Sequence, residues 1–185
     1  GSAADPRKFN PDWNRSFELP ARNPAGGVLL LHGMSDSPYS LHSLGEFLNR
    51  NHYWVIGLRL PGHGTVPAGL KKVTWEDMAA AVRLAMAHLA EKVGTNAIHI
   101  AGYSTGAPLA VEYAIGAMEG TYSPKPASLI LISPALGISP AAALAGWKRT
   151  LAALPGLEKF AWTSILPEFD PFKYNSFATN AGDQV

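Results

Sequence analysis

Apolar positions along the chain fall into two alternating patterns. Val28-Leu29-Leu30-Leu31 is a short, uninterrupted apolar run, the pattern of a strand covered on both faces. Tyr53-Trp54-Val55-Ile56-Gly57-Leu58, Ala97-Ile98-His99-Ile100-Ala101 and Ser128-Leu129-Ile130-Leu131-Ile132 read the same way. Between them lie segments of helical period. Ser40 to Asn49 carries Leu41, Leu44, Phe47 and Leu48 toward one side. In Thr74 to Val93, residues Trp75, Met78, Val82, Ala85, Met86, Leu89 and Val93 recur every three or four positions. Thr74 with Asp77 predicts a capping box at its start, and Gly94 a stop. Thr105 to Met118 is a further helix.

Strands alternating with helices through short turns predict an α/β chain: a three-layer α/β/α sandwich on a mostly parallel sheet. A short strand is expected near Ser16-Phe17-Glu18-Leu19, inside a polar N-terminal arm. The rhythm stops after Pro134. We divide the chain into a core, residues 1–136, and a lid or cap segment, residues 137–185. The latter is read as a helix over Ala141 to Leu154, then an aromatic, proline-punctuated tail from Phe160 to Phe177 without a strand pattern.

Composition narrows the chemistry. The chain has 185 residues, 47% hydrophobic and 16% charged, enough to bury a core without a staple. With no cysteine, disulfides and thiolate chemistry are excluded. The net charge of +1 comes from scattered Lys and Arg, so no nucleic-acid partner is expected. No basic amphipathic helix supports membrane contact.

The chemistry sits where strands end. Gly102-Tyr103-Ser104-Thr105-Gly106 is a G-x-S-x-G pentapeptide between a strand and a helix, the context in which a serine is lifted above a sheet on a tight turn. Gly102 and Gly106 leave room for that turn, and the helix N-terminus beyond favours developing negative charge. His32-Gly33-Met34 follows the first buried strand. Acyl transfer needs two N–H donors facing the oxyanion; Thr105, after the serine, and Met34, after His32-Gly33, are the expected pair. Leu60-Pro61-Gly62-His63-Gly64 lacks the third glycine of a dinucleotide motif, and no P-loop Lys is present. His63 is read as a structural loop histidine.

These three motifs, in this order, resemble the α/β-hydrolase superfamily, in particular its monoacylglycerol lipase, lysophospholipase and carboxylesterase group. The resemblance runs from about Gly26 to Leu136. It implies a serine esterase acting on small-molecule acyl esters, with Ser104 as nucleophile, Met34 and Thr105 as the oxyanion hole, and neither metal nor organic cofactor. The family order is Ser, then Asp or Glu, then His. The histidines are His32, His42, His52, His63, His88 and His99, and none follows Ser104. Asp170 and Asp183 follow it without a preceding strand. The fold is therefore expected to be incomplete at its C-terminal side, this piece alone inactive, and the triad Asp and His on a missing C-terminal fragment. Two readings keep the chain as it stands: an upstream base, His32 or His63, turned toward Ser104, or a non-catalytic ligand-binding protein of the same fold. The apolar tail, with Trp147, Trp162, Phe169 and Phe172 among others, suggests lipid-like acyl groups.

Overall fold

The computed structural model describes residues 8, 12, 14–64, 66–135 and 158–180. A five-stranded sheet organises them: β1 (Phe17–Leu19), β2 (Gly26–Leu31), β3 (Tyr53–Leu58), β4 (Ile98–Tyr103) and β5 (Ser128–Ile132), in the spatial order β1-β3-β2-β4-β5. β1 runs antiparallel to β3; every other pairing is parallel.

β2 is buried along its whole length, as its uninterrupted apolar run requires. Alternate side chains serve opposite layers. Val28 and Leu30 join Leu41, Val55 and Ala101 under α1 (His42–Arg50), with Phe17, Leu44 and Leu48 packed against them. Leu29 and Leu31 join Ile56, Ile98 and Ile100 in the larger core beneath α2 (Trp75–Val93) and α3 (Gly106–Met118). From α2 come Met78, Val82, Met86 and Leu89, and from α3 Leu109, Ala110 and Tyr113. Helices thus cover both faces of the sheet.

The capping box at Thr74 forms in full. Its side chain accepts from Asp77 N–H, and Asp77 accepts from Thr74 N–H. At the other end Gly94 closes the helix with φ 62°.

Three expectations need correction. Phe47 does not join the buried face of α1 but is 57% exposed, because Gly45 takes the inward position against Phe17 and Leu30. A 3₁₀ turn over Pro38–Leu41 precedes the helix, so α1 begins two residues later than its apolar pattern suggests. The tail does contain strand: β6 (Trp162–Ser164) pairs antiparallel with β7 (Phe177–Ala178), across an irregularity that hides any alternation. The helix expected over Ala141 to Leu154 lies outside the described residues.

The tail is packed onto the sheet domain. Trp162, Tyr174, Phe177 and Ala178 meet the larger core, and Asn180 Nδ2 donates to the carbonyls of Leu70 and Val73. β5 lies at the sheet edge, with Ile130 46% and Leu131 38% exposed. No helix among the described residues is long and apolar enough to cross a membrane.

Candidate active site

β2 leads into α1 on one face of the sheet, whereas its neighbour β4 leads into α3 on the other. The loops leaving their carboxyl ends therefore part at a switch point of the strand order, the place where doubly wound sheets bind ligands. His32-Gly33-Met34 occupies one side of it and Ser104 the other.

Ser104 has φ 51°, a left-handed conformation that L-residues other than Gly, Asn and Asp seldom adopt. Its N–H donates to Ile132 O at 3.0 Å, and its carbonyl accepts from Ala107 N–H at 3.1 Å and Ala135 N–H at 3.2 Å. These bonds hold the bend between β4 and α3. The flanking glycines are required by close approach. A Cβ on Gly102 would stand 2.3 Å from Gly106 O, and one on Gly106 would stand 2.3 Å from Leu31 O. Thus β4, α3 and β2 meet backbone to backbone. Ser104 itself remains partly open, while Thr105 behind it is 1% exposed.

The β2 loop lies directly against this bend: a Cβ on Gly33 would come within 3.2 Å of Ser104 Cβ. Met34 is 6% exposed, its side chain within the larger core. Ser104 N–H is engaged by Ile132 O and Ala107 N–H by Ser104 O, so Thr105 and Gly106 supply the amides between them at the α3 N-terminus.

The two loop histidines are committed elsewhere. Leu60 N–H donates to His32 Nε2 at 3.1 Å, so the ring proton is on Nδ1, which donates to Gly33 O at 2.8 Å. Complete burial, with His63 and Arg59 nearby, pushes this imidazole down to about 3, and it stays neutral. His63, 2% exposed, directs Nε2 to Met34 O at 2.5 Å and Nδ1 to Pro61 O at 2.9 Å. Burial lowers its pKa too, against the backbone contacts and Asp36. The rings meet edge to face, with centroids 4.8 Å apart. Both rings direct their nitrogens to main-chain groups and not to Ser104, which counts against the upstream-base reading. The other histidines sit apart. His42 lies beside Phe17 and Glu46, His88 beside Glu18, and His99 at the start of β4 against Ser128. Asp36, whose charge acts on His63, has its pKa raised by burial and accepts from Ser37 N–H. Asp170 accepts from Phe172 N–H, a local turn contact.

Sequence reasoning missed Tyr174. Its N–H donates to Ser35 O at 2.7 Å, its hydroxyl to Gly62 O at 3.1 Å, and its ring stacks on His63 with centroids 6.2 Å apart. Phe172 stacks on Tyr39 at 4.1 Å. The tail therefore rests on the loops beside Ser104. Only its aromatic content hinted at this. No cluster of three or more metal-ligating side chains occurs among the described residues.

Known proteins agree with this architecture. Residues 28–183 match the model of the "Alpha/beta hydrolase family". A thermostable monoacylglycerol lipase of Bacillus sp. (strain H-257) is 35% identical over 89 residues, 48% of this chain and 35% of that protein. Among solved structures, a metagenome-derived lipolytic enzyme of the LipS and LipT pair superposes with TM-score 0.72 at 27% identity, over 92% of this chain and 66% of that one. The monoacylglycerol lipase of Paleococcus ferrophilus superposes with TM-score 0.65 at 21% identity, over 91% and 67%. The chain spans about a third of its curated relative in alignment and about two thirds of those solved chains. With the family match extending over most of its length and the sheet, bend and loops arranged as described, the chain belongs to the alpha/beta hydrolase family.

Proposed function

We propose that the chain is the N-terminal part of a serine hydrolase that cleaves carboxylic esters through an acyl-enzyme on Ser104. The observation that carries this reading is the left-handed Ser104 on the β4–α3 bend, partly open and pressed beneath the Gly33–Met34 loop. Strain of this kind at a non-glycine residue is held where geometry matters more than comfort. In this reading Ser104 Oγ attacks the acyl carbonyl and its proton passes to a histidine. The Met34 and Thr105 amides stabilise the oxyanion, and the alcohol leaves protonated. Water then attacks the acyl-enzyme, releasing the acid and returning the proton to Ser104.

The general base and its acid belong, in this proposal, to a further C-terminal fragment that also pairs with β5. Two observations support it: the exposed Ile130 and Leu131 on an edge strand, and the extra third of chain in the lipolytic neighbours. The tail acts as a cap. It rests on the site loops yet exposes Ile165, Leu166 and Phe169, at 67, 53 and 74%, which suits lipid-like acyl chains.

The test is fluorophosphonate labelling of protein expressed from the reading frame continued past Val185. Covalent modification of Ser104, absent in Ser104→Ala and in the 185-residue chain alone, is the expected result. With p-nitrophenyl esters, medium and long acyl chains should turn over faster than acetate. No modification in the extended protein would reject catalysis in favour of a ligand-binding role for the same site.

A further inference from the structure

The Gly33 carbonyl collects two donors. His32 Nδ1–H reaches it at 2.8 Å and Asp36 N–H at 3.1 Å, which together occupy both lone pairs of the oxygen. A peptide unit is planar and trans, so fixing a carbonyl oxygen also fixes the N–H of the next residue, which points the opposite way in the same plane. For Gly33 O that N–H belongs to Met34, the amide to which the proposed reaction gives the oxyanion. The unit is also held against the nucleophile. Its Gly33 end packs so closely on the bend that a Cβ there would stand 3.2 Å from Ser104 Cβ and 3.3 Å from the Tyr103 ring.

His32 is itself immobilised. It is fully buried, meets the His63 ring edge to face, and accepts from Leu60 N–H on Nε2 at 3.1 Å. That donor settles the tautomer. A main-chain N–H can only donate, so Nε2 of the neutral ring is bare and Nδ1 carries the proton. The two donors to Gly33 O differ in what they tie together. Asp36 N–H belongs to the same loop and moves with it. The His32 ring anchors the peptide to the separate loop after β3, through Leu60.

We infer that His32 is a positioning residue: by holding Gly33 O it fixes the direction of the Met34 N–H as an oxyanion donor. The inference rests on the proposed function, since that reading gives the amide its task. Oxyanion stabilisation depends on donors set in place before charge develops, and a donor that must be reorganised during reaction is worth less.

The experiment compares substitutions of His32 in the protein expressed from the continued reading frame. His32→Asn and His32→Leu introduce side chains of the same shape, and neither reaches Leu60 N–H. Only the Asn presents an N–H, on Nδ2, at the place of the imidazole Nδ1. The Asn variant is expected to keep kcat and the rate of fluorophosphonate labelling within a few-fold of the parent. The Leu variant is expected to lose about tenfold or more in both, at unchanged KM, since removing an oxyanion donor outright costs about 100- to 1,000-fold. His32→Gln sets its amide one carbon further out, where it can accept from Leu60 N–H while Gly33 O loses its ring donor. It should be more stable to urea than the Asn variant and yet slower, whereas a merely structural role would make rate follow stability.

Equal rates for the folded Asn and Leu variants overturn the inference and leave the proposed function standing. So does a Leu variant whose loss lies in KM alone, or a rate order that follows stability across the three. If the parent does not label at Ser104, the proposed function fails and the role of His32 falls with it. A measurement on the parent alone guards against variants that do not fold. Nitrogen NMR at neutral pH should show His32 protonated on Nδ1 and bare on Nε2, with the Nδ1 proton exchanging slowly, and a ring protonated on Nε2 instead overturns the inference.

Discussion

His32 Nε2 accepts the Leu60 amide proton at 3.1 Å, joining the loop after β2 to the loop after β3 inside a site that excludes water. This imidazole works as a backbone substitute: it takes one N–H and gives one to Gly33 O. Protonating Nε2 would end the first bond.

Acid lability follows from that. In the folded chain the ring titrates near 3, against an ordinary 6.5 once unfolded, so between those values the unfolded state binds more protons. The contribution is complete above about pH 6.5 and is lost progressively as pH falls toward 3. At about 1.4 kcal/mol per pKa unit it amounts to at most roughly 5 kcal/mol. Urea midpoints should therefore fall steadily from pH 7 to pH 4. In His32→Gln, less stable at pH 7, the fall should be shallower. Parallel pH dependence in both would contradict the assignment of the proton uptake to His32.

The bend at Ser104 stores strain that glycine relieves. A left-handed backbone costs an ordinary L-residue about 1–2 kcal/mol, part of which glycine gives back through its greater unfolded-state entropy. Ser104→Gly should be more stable than Ser104→Ala by about 1 kcal/mol, and neither should label. Equal midpoints would mean that the bend is not strained. By contrast, Gly102→Ala and Gly106→Ala would push a Cβ onto carbonyl oxygens at 2.3 Å. Each should cost about 2–3 kcal/mol or more, because backbone on both sides leaves nothing to yield. Midpoints near that of the parent chain would show that the bend has room.

Much of this was readable before any coordinates. The positions of the four parallel strands, the capped α2 and the glycine-flanked Ser104 each follow from local pattern, although β5, apolar like the others and expected to be covered on both faces, is largely exposed because it lies at the sheet edge. β2 is apolar at every position because both faces are covered, and Gly102 and Gly106 are glycine because three backbones converge there. The tail was not readable. β6 and β7 are short and irregularly paired, so neither shows a period of two. Tyr174 reaches the site through its main chain and hydroxyl, across more than a hundred residues of sequence, and no spacing rule anticipates that. His63 looked like a turn residue; that its ring holds Met34 O depends on how two loops meet.

The cap on α2 offers a test of local structure independent of the site. Thr74 and Asp77 each satisfy an amide of the other at 3.0–3.1 Å on an exposed surface. Thr74→Ala should cost about 1 kcal/mol, within the 0.5–2 kcal/mol typical of lost caps, and Thr74→Ser much less. Thermal or urea unfolding of the two variants decides it, and an Ala variant as stable as the parent would show that the box contributes nothing to α2.

The last prediction concerns β5. Its outer backbone edge has no partner strand among the described residues, and Ile130 and Leu131 add apolar surface at 46% and 38% exposure. Unpaired N–H and C=O groups beside apolar side chains form a template on which another strand can add, and inward or edge charges are the usual protection. The 185-residue chain should therefore self-associate with rising concentration, measurable by light scattering. Ile130→Lys or Leu131→Lys should suppress this while leaving far-ultraviolet circular dichroism unchanged, since a long lysine can extend its charge into water from either position. In the protein with the continued reading frame the same substitutions should destabilise, because a strand paired with β5 would bury them. If they are equally harmless in both forms, nothing pairs with β5, and the proposal that the fold continues past this edge is wrong.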